Sequence, residues 1–292
     1  MGPVAMLGLG RMGSAMARRL ARSGFDMILW NRTAATAETL AHELGSAVAA
    51  TPAEAAAQAE VVVASLADDT AFTAVHSGDA GTLAGVREGS VIVDTSTVSP
   101  EIVAGLAPRF TEVGASLLDA PVSGSTALVE QGTLTVMAGG DAHALETARP
   151  VIDALAAKVF HLGANGTGAT MKLAVNAFVH AINLALSESL VMAEAAGVER
   201  HDAYEVFASG VGASPYVLYK RQAFEDPEGT AVAFTLDLVK KDLDLILGLA
   251  HRLGVPTHQA DVTSAVVADA LAAGMGDQDM SALAGHLRRL VP

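Results

Sequence analysis

The chain of 292 residues has no cysteine, which excludes a disulfide framework, a thiolate metal site and a cysteine nucleophile. Such a chain suits a reducing compartment, and the cytoplasm is the expected location. Basic residues are scarce: 18 lysines and arginines stand against 32 aspartates and glutamates, for a formal net charge of −14. Nucleic acids and anionic membranes need a basic face, so neither is an expected partner. Aromatics make up only 4% of the residues, so the mean hydropathy of +0.39 comes from alanine, valine and leucine. No basic stretch with a cleavage site opens the sequence, and no signal peptide is expected. The longest apolar run, about 171–198, is interrupted by Lys172, Asn176, His180, Asn183, Ser187, Glu188 and Glu194. That pattern reads as a buried helix, not a membrane span. The nine histidines are scattered without paired ligand spacing, so no metal site is expected.

What is present is ordered. Residues 1–110 alternate apolar strands with helical periodicity, which predicts a parallel sheet covered on both faces. Strands are expected at 3–8, 26–30, 46–49, 61–66 and 91–94, then at 116–120, 134–138 and 158–161. After Gly163 only helices are expected, at 168–196, 200–209, 214–220, 234–252, 257–271 and 279–289. The length suits two domains, a sheet domain over 1–162 and a helical domain over 163–292.

Val4-Ala-Met-Leu-Gly8-Leu9-Gly10-Arg11-Met12-Gly13 runs a short strand into Gly-x-Gly-x-x-Gly and then a helical pattern. The glycines allow a tight turn and close backbone approach, and the helix N-terminus faces a pyrophosphate. Glycine is common here, at 28 of 292 residues, so only the strand–turn–helix context makes the spacing specific for a dinucleotide. The second strand ends in Asn31, Arg32 and Thr33. An acid there would bond the ribose 2′-hydroxyl of NAD. A guanidinium and a hydroxyl instead suit a 2′-phosphate, which predicts NADPH/NADP as cofactor. The plain alternative for Arg32 is an ordinary surface arginine.

Three glycines, Gly163, Gly166 and Gly168, lead into the long apolar run, whose first turns carry Lys172 and Asn176. Residues four apart share a helix face, so an ammonium and an amide project together. A cation near a helix N-terminus opposes the helix dipole, which suggests Lys172 as a working residue; the plain alternative is a lone lysine without a role. Two strand-end loops join it: Asp94-Thr-Ser-Thr97, where a helix-capping turn explains the hydroxyls equally well, and Asp119-Ala-Pro-Val-Ser123-Gly124-Ser125, where exposed N–H groups beside a hydroxyl suit a small anion cradle and a common turn is the plain alternative.

Gly8–Gly13, Asp119–Gly124, Gly163–Asn176 and Lys240-Lys241-Asp242 occur in the order of the β-hydroxyacid dehydrogenase family, which the chain resembles over nearly its whole length. Asn31–Thr33, Thr95–Val98 and Pro121–Ser125 are most similar to the glyoxylate/succinic semialdehyde reductase branch, with 3-hydroxyisobutyrate dehydrogenases second. The resemblance implies an α/β fold: an N-terminal Rossmann-like doubly wound sheet followed by an all-α C-terminal domain. It implies Lys172 as the catalytic lysine with Asn176 ordering it, and Ser123 and Gly124 holding a substrate carboxylate. Leu66 and Thr97 would line the nicotinamide, and Lys241 would reach toward cofactor and substrate. Ala67 departs from the family, which often has proline there. Phe234, with Asp237 and Tyr216 or Tyr219, is the candidate far wall of the pocket. The expected activity is NADPH-dependent reduction of a short aldehyde or keto acid. A 3-hydroxyisobutyrate-type dehydrogenase, an imine reductase and a non-enzymatic binding module on the same fold are the alternatives. The many apolar faces of the helix beginning near Gly168 predict a homodimer or homotetramer through the C-terminal domain.

Overall fold

The computed structural model describes residues 2–291. Strand and helix alternate through β1 (Val4–Leu7), α1 (Arg11–Arg22), β2 (Met27–Trp30), α2 (Ala34–Leu44), β3 (Ala47–Val48) and α3 (Pro52–Gln58). The alternation continues through β4 (Val61–Ala64), α4 (Asp69–His76), α5 (Thr82–Gly85), β5 (Val91–Asp94), α6 (Pro100–Glu112) and β6 (Ser116–Asp119). These strands form one parallel six-stranded sheet in the order β3-β2-β1-β4-β5-β6. The strand order reverses between β1 and β4, and at such a switch point the carboxyl ends of the strands open a crevice.

The central strands are apolar on both faces because helices cover both. Met6, Leu29, Val63, Val93 and Leu118 pack with Met16 and Leu20 of α1 on one side. Leu7, Ile28, Val62 and Ile92 pack with Phe72, Val103 and Phe110 on the other. Neighbouring residues of one strand thus serve opposite cores, as the pleat requires.

A second sheet follows. β7 (Val122–Ser123), α7 (Thr126–Gln131), β8 (Leu134–Ala138), α8 (Ala142–Leu155) and β9 (Ala156–His161) make a three-stranded sheet, with β7 antiparallel and β9 parallel to β8. The strands expected near 134 and 158 therefore do not extend the parallel sheet. The remainder is helical: α9 (Thr167–Ala195), α10 (Arg200–Ser209), α11 (Pro215–Glu225), α12 (Leu236–Leu253), α13 (His258–Ala272) and α14 (Leu283–Arg288). Their core is built on Leu186, Leu190, Tyr204, Tyr216, Phe224, Leu243 and Leu283. The chain divides into two compact units, one ending at Lys172 and the other beginning at Leu173, so the division falls within α9.

Several short elements departed from expectation. α5, β7 and α7 span four, two and six residues, too few for a periodic pattern to show. The strand read at 46–49 shrinks to two exposed residues at the sheet edge. The helix read at 279–289 splits into a 3-10 turn at Met280–Ala282 and α14, because the Asp279 carboxylate caps the turn by accepting from Ser281 N.

Candidate active site

The glycine loop between β1 and α1 gives each glycine a separate task. Gly8 has φ +84°, and a Cβ there would overlap the Ser65 carbonyl oxygen. A Cβ on Gly13 would overlap the Gly8 carbonyl oxygen, so only glycine lets α1 pack this closely on the loop. Gly10, the N-cap of α1, is different: a Cβ there would meet nothing within 4 Å, and no side chain caps the helix. The open face at Gly10 and the uncapped N–H groups behind it fit the pyrophosphate of a dinucleotide. Arg11 and Met12 follow as the first turn of α1.

Asn31, at the end of β2, braces this loop. Its Oδ1 accepts from Leu9 N at 3.0 Å and its Nδ2 donates to Thr33 O at 3.1 Å. Arg32 and Thr33 are exposed beside it, and the Thr33 side chain makes no capping bond to α2. On the next two strands the ends are tied by buried polar groups. Leu66 N donates to Ser96 Oγ at 2.8 Å, and Ser96 N donates to Asp94 Oδ1 at 2.8 Å. Asp94 Oδ2 lies 2.9 Å from His76 Nε2, and His76 Nδ1 lies 2.9 Å from Thr82 Oγ1. Leu66, Ala67 and Thr97 therefore sit on loops held at the carboxyl edge, beside the glycine loop. Ser96 is a positioning group for Leu66, and Ser99 binds Asp69; neither hydroxyl caps a helix.

Ser123 closes β7 opposite Thr135. Gly124 has φ +141°, and a Cβ there would lie 2.6 Å from Leu134 Cδ2, so the turn requires glycine. Asp119 connects this region to α9. Its Oδ1 accepts from Gly166 N at 2.9 Å and its Oδ2 from Ala169 N at 2.8 Å. Burial raises the Asp119 pKa, against the opposing pull of those two N–H groups. A Cβ on Gly168 would overlap the carbonyl oxygens of Asp119 and Met137. The carboxylate and the glycine together seat the first turn of α9, and Lys172, partly buried, follows on the next.

In the helical unit, Asn176 is buried and its Nδ2 donates to Asp242 Oδ2 at 2.6 Å. An ionised carboxylate only accepts, so the amide orientation is set and Asn176 Oδ1 remains the acceptor. Asp242 stays ionised although buried. Burial would raise its pKa, but His180 and the Lys241 ammonium, the latter 3.0 Å from Oδ1, bring it below the usual carboxylate range. Phe234 lies near this cluster, with its ring centroid 6.1 Å from that of His180. Its loop is held by Asp279, which accepts from Ala233 N at 2.9 Å and Phe234 N at 3.2 Å. Asp279 also pairs with buried Lys220 at 2.6 Å and 2.8 Å, and that ammonium is the main group holding its carboxyl below the ordinary value against burial.

Two groups of the expected residues are thus assembled. Gly8–Gly13, Asn31–Thr33, Leu66, Ala67 and Thr97 share the carboxyl edge of the parallel sheet. Asn176, Lys241 and Phe234 converge around Asp242 in the helical unit. Asp279 and the roles of Asp242, Ser96 and Asp119 escaped sequence reasoning. Asp242 follows the Lys240-Lys241 pair directly, and its place on the buried stripe of α12 was the available signal. An open recess of about 480 Å³ lined by Pro3, Phe25, Leu44 and Gln58 lies at the opposite, amino-terminal edge of the strands and contains none of these groups.

Residues 3–163 match the model for the NAD binding domain of 6-phosphogluconate dehydrogenase. Residues 166–287 match that for the NAD-binding domain of NADP-dependent 3-hydroxyisobutyrate dehydrogenase. The chain belongs to the β-hydroxyacid dehydrogenase family. It is an oxidoreductase of that family, with an NAD(P)-binding domain at its N-terminal end. Glyoxylate/succinic semialdehyde reductase 1 of Arabidopsis thaliana is 33% identical over 280 residues, covering 96% of each chain. A 3-hydroxyisobutyrate dehydrogenase from Salmonella typhimurium superposes with a TM-score of 0.89 at 28% identity, covering 98% of this chain and all of the other. Psf3, solved with NADP+ and 2-OPP, gives a TM-score of 0.87 at 26% identity over 97% of this chain and 99% of the other.

Proposed function

We propose that this family member is an NADPH-dependent reductase of short aldehyde or keto acids of the glyoxylate or succinic semialdehyde type, acting reversibly on the hydroxyacid. The observation that carries the reading is the seating of α9 on Asp119, which sets Lys172 and Asn176 one turn apart on a fixed helix. When bound, the nicotinamide supplies the hydride. The chain supplies the rest. The Lys172 ammonium donates a hydrogen bond and then a proton to the developing alkoxide, stabilising its charge on the way. Asn176 Oδ1 accepts from the lysine or the substrate hydroxyl. Ser123 and the backbone at Gly124 hold the substrate carboxylate, and Phe234 forms an apolar wall.

Arg32 and Thr33 bind the 2′-phosphate, while Asn31, neutral and occupied with bracing Leu9, brings no negative charge against it. Gly8, Leu9, Gly10, Arg11, Met12 and Gly13 enclose the pyrophosphate, with Leu66, Ala67, Thr97 and Lys241 toward the nicotinamide. The domains are a nucleotide domain over 1–162 and a substrate and assembly domain over 163–292. The enzyme works in the cytoplasm as a homodimer or homotetramer. Phe178 and Met192 on α9, 68% and 71% exposed, support an apolar surface for a second copy. Lys172 and the loop at Ser123 favour a hydroxyacid over an imine substrate.

The test is a panel of glyoxylate, succinic semialdehyde, other short keto acids and a cyclic imine, each with NADPH and NADH and ranked by kcat/KM. NADPH consumption led by the aldehyde acids is expected; turnover of the imine alone, or equal efficiency with both nucleotides, overturns the proposal. A mass near the 29.6 kDa of one chain in light scattering at micromolar concentration overturns the oligomer.

A further inference from the structure

His180 is a buried polar group that the proposed reaction does not use. It lies two turns beyond Lys172 on α9 and is 3% exposed. Neither ring nitrogen has a hydrogen-bond partner among the described residues. Its Nε2 is 3.7 Å from Asp242 Oδ2, too far for a hydrogen bond, and that oxygen already accepts from Asn176. Asp242 Oδ1 is likewise without a hydrogen bond, although the Lys241 ammonium lies 3.0 Å away. The two imidazole nitrogens thus sit unpaired in the interior, beside a carboxylate held by Lys241 and Asn176, and buried polar atoms left unpaired are costly. The ring faces Phe234 at 6.1 Å between centroids, tilted by 30°. This places His180 among Asn176, Asp242, Lys241 and Phe234.

We propose that His180 determines substrate specificity: with Asp242 it reads a hydroxyl carried by the substrate in addition to its carboxylate and its reacting carbonyl. The inference rests on the aldehyde-acid reading above and narrows it to hydroxyl-bearing members of that class. A hydroxyl both donates and accepts. It can donate to the Asp242 carboxylate and accept from an imidazole N–H, satisfying both partners with a single group. An alkyl group at the same place leaves the imidazole unpaired. A second carboxylate would meet the negative charge of Asp242, which is held ionised.

The test compares three- and four-carbon aldehyde acids in matched pairs, with and without one hydroxyl, using NADPH and the full chain. Wild type is compared with His180→Phe, which keeps the ring and removes both nitrogens, and His180→Gln, which keeps a donor and an acceptor. Wild type is expected to favour a hydroxylated substrate in kcat/KM by about tenfold or more, the worth of a charge-assisted hydrogen bond. In His180→Phe the ratio falls toward one, and in His180→Gln part of it returns. A wild-type ratio near one for every pair, or an unchanged ratio in His180→Phe, overturns the inference while turnover of the unsubstituted acids leaves the parent reading standing. If no aldehyde acid is turned over, the parent reading fails. Calorimetry of the NADP-loaded protein with monohydroxy and dihydroxy acids then decides the inference separately. Tighter binding of the dihydroxy acid, lost in His180→Phe, supports it, and equal binding overturns it.

Discussion

Gly10→Ala and Gly13→Ala place one methyl group each on the same loop and should have opposite consequences. At Gly10 the backbone is extended, with φ −68° and ψ −169°, a conformation alanine adopts freely. The added Cβ meets no protein atom within 4 Å. The cost to folding is only the weaker N-cap preference of alanine, about 1 kcal/mol or less. The methyl group instead projects where the pyrophosphate must approach the backbone. Every tenfold loss of affinity is about 1.4 kcal/mol, and Gly10→Ala should lose at least that much NADPH binding. At Gly13 the Cβ overlaps the Gly8 carbonyl oxygen. That neighbour is backbone and cannot rotate away, so α1 must shift off the sheet, at about 1–3 kcal/mol as in other overpacked sites. Urea unfolding followed by circular dichroism reads the stability, and quenching of protein fluorescence reads NADPH binding. Gly10→Ala with normal affinity would show that the pyrophosphate does not lie on this loop. Gly13→Ala as stable as wild type would refute the packing argument.

Lys172→Ala should lower kcat by about 10²–10⁴-fold, the usual worth of general acid catalysis, with NADPH binding largely retained; a tenth of wild-type activity would show that another group delivers the proton. Arg32→Ala should raise KM for NADPH about tenfold or more with little change for NADH, because a hydrogen bond to a charged group contributes roughly 1.5–3 kcal/mol; equal weakening of both makes Arg32 structural. Lys220→Met should destabilise the helical unit by about 3–5 kcal/mol, since it strands the buried Asp279 carboxylate, and a loss below about 1 kcal/mol in urea would contradict that. The depressed pKa of Asp279 gives the sign with pH: its contribution is present above the unfolded value of about 3.9. It is lost as pH falls through the lower folded value, so an acid titration of the unfolding midpoint should show a drop there that Lys220→Met reduces.

The alternation of strand and helix and the dinucleotide loop were legible because both are local. An apolar strand, three glycines at fixed spacing and an amphipathic helix are written in consecutive residues. The helical C-terminal half was legible for the same reason. What could not be read were contacts across long sequence separations. Asn176 and Asp242 are 66 residues apart, and Lys220 and Asp279 are 59 apart. Nothing in either neighbourhood says that a carboxylate and its partner will meet. Asn31 was read as an absent acid, although its structural work is to brace Leu9. Ser96 was weighed as a helix cap, whereas its hydroxyl accepts from Leu66 on the neighbouring strand-end loop.

Asp119 shows most clearly how two separate motifs become one device. Asp119-Ala-Pro-Val-Ser-Gly and the glycines at 163, 166 and 168 each read as a strand-end loop or a turn. In the fold the Asp119 carboxylate fills the place of an N-cap for α9, but from another strand, accepting two N–H groups that a helix of its own cannot satisfy. The close approach of Gly168 to the Asp119 and Met137 carbonyl oxygens is what brings those N–H groups within reach. A side chain at 168 would push α9 away, and the carboxylate would then remain buried with its partners gone. The position of Lys172 therefore depends on a carboxylate 53 positions earlier in the chain and on a hydrogen atom in place of a Cβ. The negative charge of Asp119 also sits at the positive end of the α9 dipole. The first turn of the helix is thereby satisfied from outside, one turn before Lys172.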